Sequence, residues 1–307
     1  METRLPQGAS GPEVEPTRGL EPRTARLQVE CATNCATPAE PATARRAWAI
    51  LDAYPGGTTP AGRLATPPGT NGRVSRLHKP KAGFWIRFCV IILFPLDALL
   101  FKLRWHHLDR MPATGGVLVA VNHISQADTP AMARMLWETG RIPRFLIKHT
   151  VFGWPFLGRV MTGAGQLPVY RASEQAADSL QAAVQALDEG ECVVIYPEGT
   201  ITRNDDYSPM QGKTGVARLA LARPDVPVVP IGQWGAHRTL SRGGRFRPFP
   251  RQRHEASVGE PIDLSDYRGL EPTAETLRAM TDRIMAAVTE QVDYVRASVR
   301  EASQQTG

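Results

Sequence analysis

Five consecutive apolar residues, Val117 to Val121, run without a polar interruption into Asn122 and His123, and Asp128 follows five residues after the histidine. Such a run reads as a buried strand that delivers His123 to its C-terminal end. Asp128, Thr129 and Pro130 read as the start of a helix, because Asp favours the N-cap and Pro the first helical positions. Only a short turn separates the two elements, so imidazole and carboxylate can meet. The carboxylate would then hold one ring nitrogen and leave the other free to accept a proton, which suits general-base activation of a hydroxyl. The same spacing also serves a chain in which Asp128 only caps its helix.

The segments around this stretch repeat its strand-then-helix order. Strands are expected at 117–121, 144–147, 167–170, 191–196, 226–231 and 255–258. Helices are expected at about 128–139, 156–161, 173–188 and 214–223, with an amphipathic closing helix at 273–298. Strands that alternate with helices imply an α/β layered domain with a mostly parallel sheet flanked by helices. The domain is placed at residues 111–300. Ahead of it, residues 1–80 are rich in Pro, Gly, Thr, Ala and Arg and read as a disordered tail or an over-extended start. No apolar core of a cleavable export signal is found in residues 1–26.

Residues 81–110 form the most apolar part of the chain, with FWIRFCVIILFPLDALLF at 84–101 between Lys79, Lys81 and Lys102, Arg104. Arg87, Pro95 and Asp97 interrupt the run, and a central Asp costs about 2.5 kcal/mol or more on membrane insertion scales. This is read as a membrane-associating helix that docks at the interface, its basic flanks on anionic head groups and its aromatic residues in the headgroup boundary. A helix packed on the domain's own core would carry the same composition. A formal net charge of +6 favours anionic partners such as a phospholipid surface or a phosphorylated substrate. Nucleic acid is not expected, since zinc spacing, an aromatic sheet motif and a zipper are all missing and the basic residues look scattered. The four cysteines (Cys31, Cys35, Cys89, Cys192) fit no disulfide framework or zinc site and suit a reducing compartment.

Ligands of open α/β sheets collect beyond the carboxyl ends of strands, and further polar segments fall there. Gly165 to Arg171 ends a strand on an Arg, whose planar fork is suited to a phosphate and equally to a surface ion pair. Tyr196, Pro197, Glu198, Gly199 and Thr200 place a carboxylate and a hydroxyl after another strand, with Gly199 allowing close backbone approach. Glu198 could bond substrate hydroxyls, orient the Arg or cap the loop. Val226 to Ile231 is an apolar strand framed by Pro227 and Pro230, suited to a pocket wall. Lys148, Arg203 and Lys213 stand near these segments. Gly212-Lys213-Thr214 lacks the first Gly of a phosphate-binding loop, and Gly163-x-Gly165 lacks the third Gly of a dinucleotide fingerprint. No Gly-x-Ser-x-Gly elbow is present.

In this order, the four segments resemble the motifs of the glycerolipid acyltransferase family, the 1-acylglycerol-3-phosphate acyltransferases. Asn122, His123 and Asp128 match Asn-His-x4-Asp; Gly165 to Arg171 match the second motif, Pro197 to Thr200 the Pro-Glu-Gly-Thr motif, and Val226 to Ile231 the Pro-flanked strand. The resemblance covers roughly residues 84–262. It implies acyl transfer from acyl-CoA or acyl carrier protein to the free hydroxyl of a lysophospholipid, most simply 1-acylglycerol-3-phosphate to give phosphatidic acid. His123 would be the general base and Asp128 its orienting partner, with Asn122, Lys148, Arg171, Glu198, Gly199, Thr200 and Arg203 on the substrate. Neither metal nor cofactor is needed, because a thioester is already activated. The implied location is the cytoplasmic face of the plasma membrane, peripheral or monotopic. One departure bears on the acceptor: many members have Arg where this chain has Ile201, and the next basic residue is Arg203. Another lyso-aminolipid, glycolipid or glycerol-3-phosphate acceptor, or a lipid-binding protein without catalysis, are the competing readings.

Overall fold

The computed structural model describes residues 82–170 and 176–304. The expected tail at 1–80, with Cys31 and Cys35, and the expected phosphate reader Arg171 lie outside the described residues. The described chain opens with α1 (Phe84–Leu100), β1 (Phe101–His106) and β2 (Val117–Val121), followed by α2 (Asp128–Glu138) and β3 (Pro143–Lys148). Next come α3 (Leu157–Gly163), β4 (Leu167–Val169), α4 (Ala176–Asp188), β5 (Cys192–Ile195) and α5 (Gly215–Ala222). The last elements are β6 (Val228–Trp234), α6 (Ala236–Thr239), β7 (Gln252–Val258) and α7 (Ala274–Gln304).

One sheet holds the seven strands in the order β1-β7-β6-β2-β5-β3-β4. Every neighbouring pair is parallel except β6–β7. That single reversal decides the layout of the ends. Because β7 runs against β6, and β1 runs with β7, these two strands begin at the end of the sheet where the other five finish. Side chains alternate across a strand, so β2 feeds both faces. Val117, Val119 and Val121 join Met132, Met135 and Leu136 of α2, with Phe145, Val229 and Ile231, in one buried cluster. On the opposite face lies α7, which buries Leu277, Met280, Ile284, Val288, Val292, Val295 and Val299 at helical spacing.

The mostly parallel sheet flanked by helices is as the alternation of sequence segments implied. One correction concerns residues 81–110, expected to be helical throughout: the helix stops at Leu100 and residues 101–106 form β1. In Phe101–His106 the polar Lys102 and Arg104 are exposed while Leu103 and Trp105 turn inward, a strand alternation hidden at the edge of a longer apolar run. Its partner β7 lies about 150 residues away, as in the pairing of Phe101 with Gln252, and no local signal reports that pairing.

Helix α1 is seated on the domain by contacts along its length. The Trp85 ring fills the space that a Cβ on Gly163 would need, at 2.0 Å. Phe88 meets Phe156 edge to face, Phe94 meets Trp137 likewise, and Arg134 donates to the Phe94 carbonyl at 2.9 Å. Phe84, Ile91, Ile92, Leu96 and Leu99 are left in the open. Among the described residues, no helix is long and apolar enough to cross a membrane. Asp97, the charge that interrupts the apolar run, is buried, and desolvation pushes its carboxyl up to about 7 although Arg134 pulls it the other way.

Two outcomes are expected. A Cβ at Gly232 of β6 would lie 2.2 Å from the Gln291 carbonyl carbon and the Val292 nitrogen of α7, both backbone. Gly232→Val should therefore unseat α7 and lower the thermal midpoint by several degrees, an effect of about 1–3 kcal/mol for overpacking; an unchanged midpoint would show that α7 shifts freely. For Asp97 the folded pKa is raised, so its protonated form favours the folded state. Stability is fully present below the ordinary value of 3.8, declines as the pH rises, and levels off above about 7. Asp97→Asn should flatten this decline in a series of melts across that window.

Candidate active site

Strand β2 ends at Val121 and α2 begins at Asp128, and the intervening turn wraps around one carboxylate oxygen. Asp128 Oδ2 accepts from Ile124 N–H at 2.6 Å and Ser125 N–H at 2.9 Å, and lies 3.0 Å from His123 Nδ1. With two backbone donors already on that oxygen, Nδ1 is set as the third donor, and Nε2 is the nitrogen left to accept a proton. No hydrogen bond reaches Nε2 from the described residues. Asp128 is fully buried, whereas the His123 side chain keeps 16% of its surface open to solvent. Burial raises the Asp128 carboxyl above its ordinary value, against the opposing pull of the imidazole and the two backbone N–H groups.

The loop after β5 holds the same turn from the other side. Glu198 Oε1 accepts the His123 N–H at 2.8 Å, and its Oε2 accepts the Met210 N–H at 2.9 Å. Thr202 N–H donates to the His123 carbonyl at 2.8 Å. The histidine backbone is thus clamped at both its polar groups by one loop. Burial pushes the Glu198 carboxyl up, and the two backbone donors offset this in part. From the β6 side, Asn122 and Gln233 exchange bonds. Asn122 Nδ2 donates to the Gln233 carbonyl at 3.1 Å, the Gln233 N–H donates to Asn122 Oδ1 at 2.8 Å, and Gln233 Nε2 donates to the Asn122 carbonyl at 2.9 Å.

Two of the expected substrate ligands form part of this brace: Asn122 and Glu198 are buried, with their polar atoms bonded to backbone partners on either side of His123. Gly199 has φ of +71°, and the Lys213 side chain lies 3.1 Å from where its Cβ would be. Thr200 and Arg203 are exposed on the loop that follows, and Lys148 is exposed at the end of β3. All of these lie beyond the carboxyl ends of parallel strands, the end that carries His123.

Further residues join the site without having been singled out from sequence. Tyr196 stacks on His123 with ring centroids 4.3 Å apart and an interplanar angle of 23°. A ring face in that position favours the imidazolium that forms on proton uptake. Gln233 is a fully buried amide within the apolar strand VVPIGQW, and a polar residue there signals that a partner must exist without naming it. Ser125 Oγ donates to the Leu240 carbonyl at 2.6 Å, tying the turn to the segment after α6.

Residues 102–234 match the family model described as Acyltransferase. The chain is 25% identical over 207 residues to the 1-acyl-sn-glycerol-3-phosphate acyltransferase of Bacillus subtilis, across 66% of this chain and 95% of that protein. It is 30% identical over 202 residues to the lyso-ornithine lipid O-acyltransferase of Pseudomonas aeruginosa, across 62% of this chain and 72% of that relative. In fold it is similar to the crystal structure of the 1-acyl-sn-glycerophosphate acyltransferase PlsC from Thermotoga maritima, with a TM-score of 0.52 at 19% identity over 69% of this chain and 80% of that one. On these matches the chain belongs to the glycerolipid acyltransferase family and is an acyltransferase.

Proposed function

We propose that the enzyme transfers a fatty acyl group from acyl-CoA or acyl carrier protein to the free hydroxyl of a lysophospholipid, with 1-acylglycerol-3-phosphate as acceptor and phosphatidic acid as product. The observation that carries this reading is the 3.0 Å contact between His123 Nδ1 and Asp128 Oδ2, which leaves Nε2 as the base. In the proposed step Nε2 takes the proton of the acceptor hydroxyl as its oxygen attacks the thioester carbonyl. The intermediate collapses with loss of the thiolate, and the imidazolium returns the proton to that sulfur. Asp128 and the Tyr196 ring steady the cation in between. A thioester is activated already, so positioning and base catalysis are sufficient.

Lys148, Thr200 and Arg203 are exposed at the same end of the sheet, where they suit a charged headgroup or the phosphates of the donor. Arg171 is assigned the acceptor phosphate on its motif position alone. We further propose docking on the cytoplasmic face of the plasma membrane through α1, whose exposed Phe84, Ile91, Ile92, Leu96 and Leu99 would enter the headgroup boundary.

A second acceptor is favoured by two particular observations. One is the lyso-ornithine lipid O-acyltransferase among the relatives, and the other is Ile201 at a position where many family members carry Arg. A lyso-aminolipid carries no phosphate, and a chain with one fewer Arg in this motif is compatible with it.

Mass spectrometry of products formed by the purified chain, offered acyl-CoA or acyl carrier protein with lysophosphatidate and lyso-ornithine lipid side by side, should reveal phosphatidic acid as the main product. Dominant acylation of the ornithine lipid would transfer the assignment to the second acceptor, and no acylated lysolipid at all would overturn both. His123→Ala should cut turnover by at least about a hundredfold with unchanged thermal unfolding. Glu198→Gln keeps the shape but turns an amide N–H toward a backbone N–H, so it should lower kcat about tenfold through a displaced imidazole; wild-type kcat would remove the brace from the mechanism.

A further inference from the structure

Between α6 and β7 the chain forms a hairpin with an unusual composition. Residues 238–253 hold Arg238, Arg242, Arg245, Arg247, Arg251 and Arg253 and no carboxylate, which equals the formal excess of +6 carried by the whole chain. Six of the chain's 36 basic residues thus fall within sixteen positions. The hairpin is well formed: Leu240 bridges Phe246, Arg247 N–H donates to the Thr239 carbonyl at 2.7 Å, and Gly244, with φ of +80°, closes the turn on the Ser241 carbonyl at 2.9 Å.

Its arginines divide into two groups. Arg242 donates to the Thr202 carbonyl and Arg251 to the Phe101 carbonyl at 2.6 Å, which fastens the hairpin to the domain, while Arg253 donates to Glu255 within β7. Arg238, Arg245 and Arg247 are exposed, and among the described residues their side chains have no hydrogen bond or ion pair. Interleaved with them are Phe246 and Phe249, 56% and 65% exposed. Bare aromatic rings set among unpaired guanidinium groups match a layer that is anionic at its surface and apolar beneath.

The sheet puts this hairpin where such a layer would be met. β7 begins at the end where β2 delivers His123, and β1, which follows α1 directly, begins beside it. Trp154 and Phe156, also exposed, follow the end of β3 at that same end. Ser125 Oγ reaches the hairpin's base at the Leu240 carbonyl. We propose that the hairpin 238–253 is a second membrane contact, separate from α1, that docks on an anionic phospholipid bilayer with Phe246 and Phe249 in the headgroup region and Arg238, Arg245 and Arg247 on lipid phosphates. This contact does not rest on the acyl-transfer reading.

The test is co-flotation of the full chain with vesicles of phosphatidylcholine alone and of phosphatidylcholine mixed with phosphatidylglycerol. Phe246→Ser with Phe249→Ser, and separately Arg245→Gln with Arg247→Gln, should each weaken binding to the mixed vesicles about tenfold. The arginine effect should vanish on phosphatidylcholine and at high salt, where screening removes it. Ile91→Ser with Leu99→Ser on α1 should weaken binding to both compositions, which separates the helix from the hairpin whatever reaction the enzyme performs. If both hairpin variants melt as the parent does and still float with the mixed vesicles as the parent does, the proposal is overturned. It is equally overturned if their only loss is turnover with acyl carrier protein as donor, because the patch is then a docking site for an acidic protein.

Discussion

A single buried carboxylate oxygen organises this protein. Asp128 Oδ2 collects an imidazole and two backbone N–H groups, and a charge in that position is tolerated only because those donors surround it. The bonds are short in sequence, all within five residues, yet they fix both the shape of the turn and the tautomer of His123. Glu198 and Thr202 hold that turn by its backbone, Asn122 and Gln233 hold it between β2 and β6, and Ser125 ties it to the Leu240 carbonyl, while Tyr196 stacks on the ring itself. A brace of this kind limits motion of the imidazole while leaving Nε2 open, which is the combination that a positioned base needs.

The reversed pair β6–β7 is the second organising feature. In a wholly parallel arrangement, α1 would enter β1 from the end remote from His123, and the segment leading into β7 would be remote as well. With β7 reversed and β1 alongside it, both segments arrive at the catalytic end. Most of the large apolar side chains left exposed among the described residues belong to α1, to the segment after β3, or to the hairpin before β7. The exposed rings of the segment after β3 and of the hairpin before β7 therefore share the end of the sheet at which β2 delivers the base.

Helix α1 shows how an interrupted apolar run is accommodated. Arg87 stays at the surface near the start, while Asp97 is buried near Arg134, and burial raises its carboxyl to about 7. The charge that makes the helix a poor membrane span is thus spent on the domain side, and the opposite side stays apolar.

Much of the fold was legible because its signals are local. Val117–Val121 reads as a strand from its unbroken apolar run, and the expected α2 and α5 lie within one residue of those found, while α7 starts one residue from its expected start and runs six residues further, since amphipathic spacing is written within one or two turns. The approach of His123 to Asp128 was legible for the same reason. Tertiary structure alone decided that Asn122 meets Gln233 across 111 residues and that Glu198 reaches the His123 N–H across 75. It also decided that β1 pairs with β7 and that the arginine-rich hairpin before β7 enters at the end of the sheet that carries His123. A side chain's spacing to its neighbours is set by backbone geometry over a few residues. Its partner across the sheet is set by which edge remains open and which way the strands run, and no short stretch of sequence contains that information.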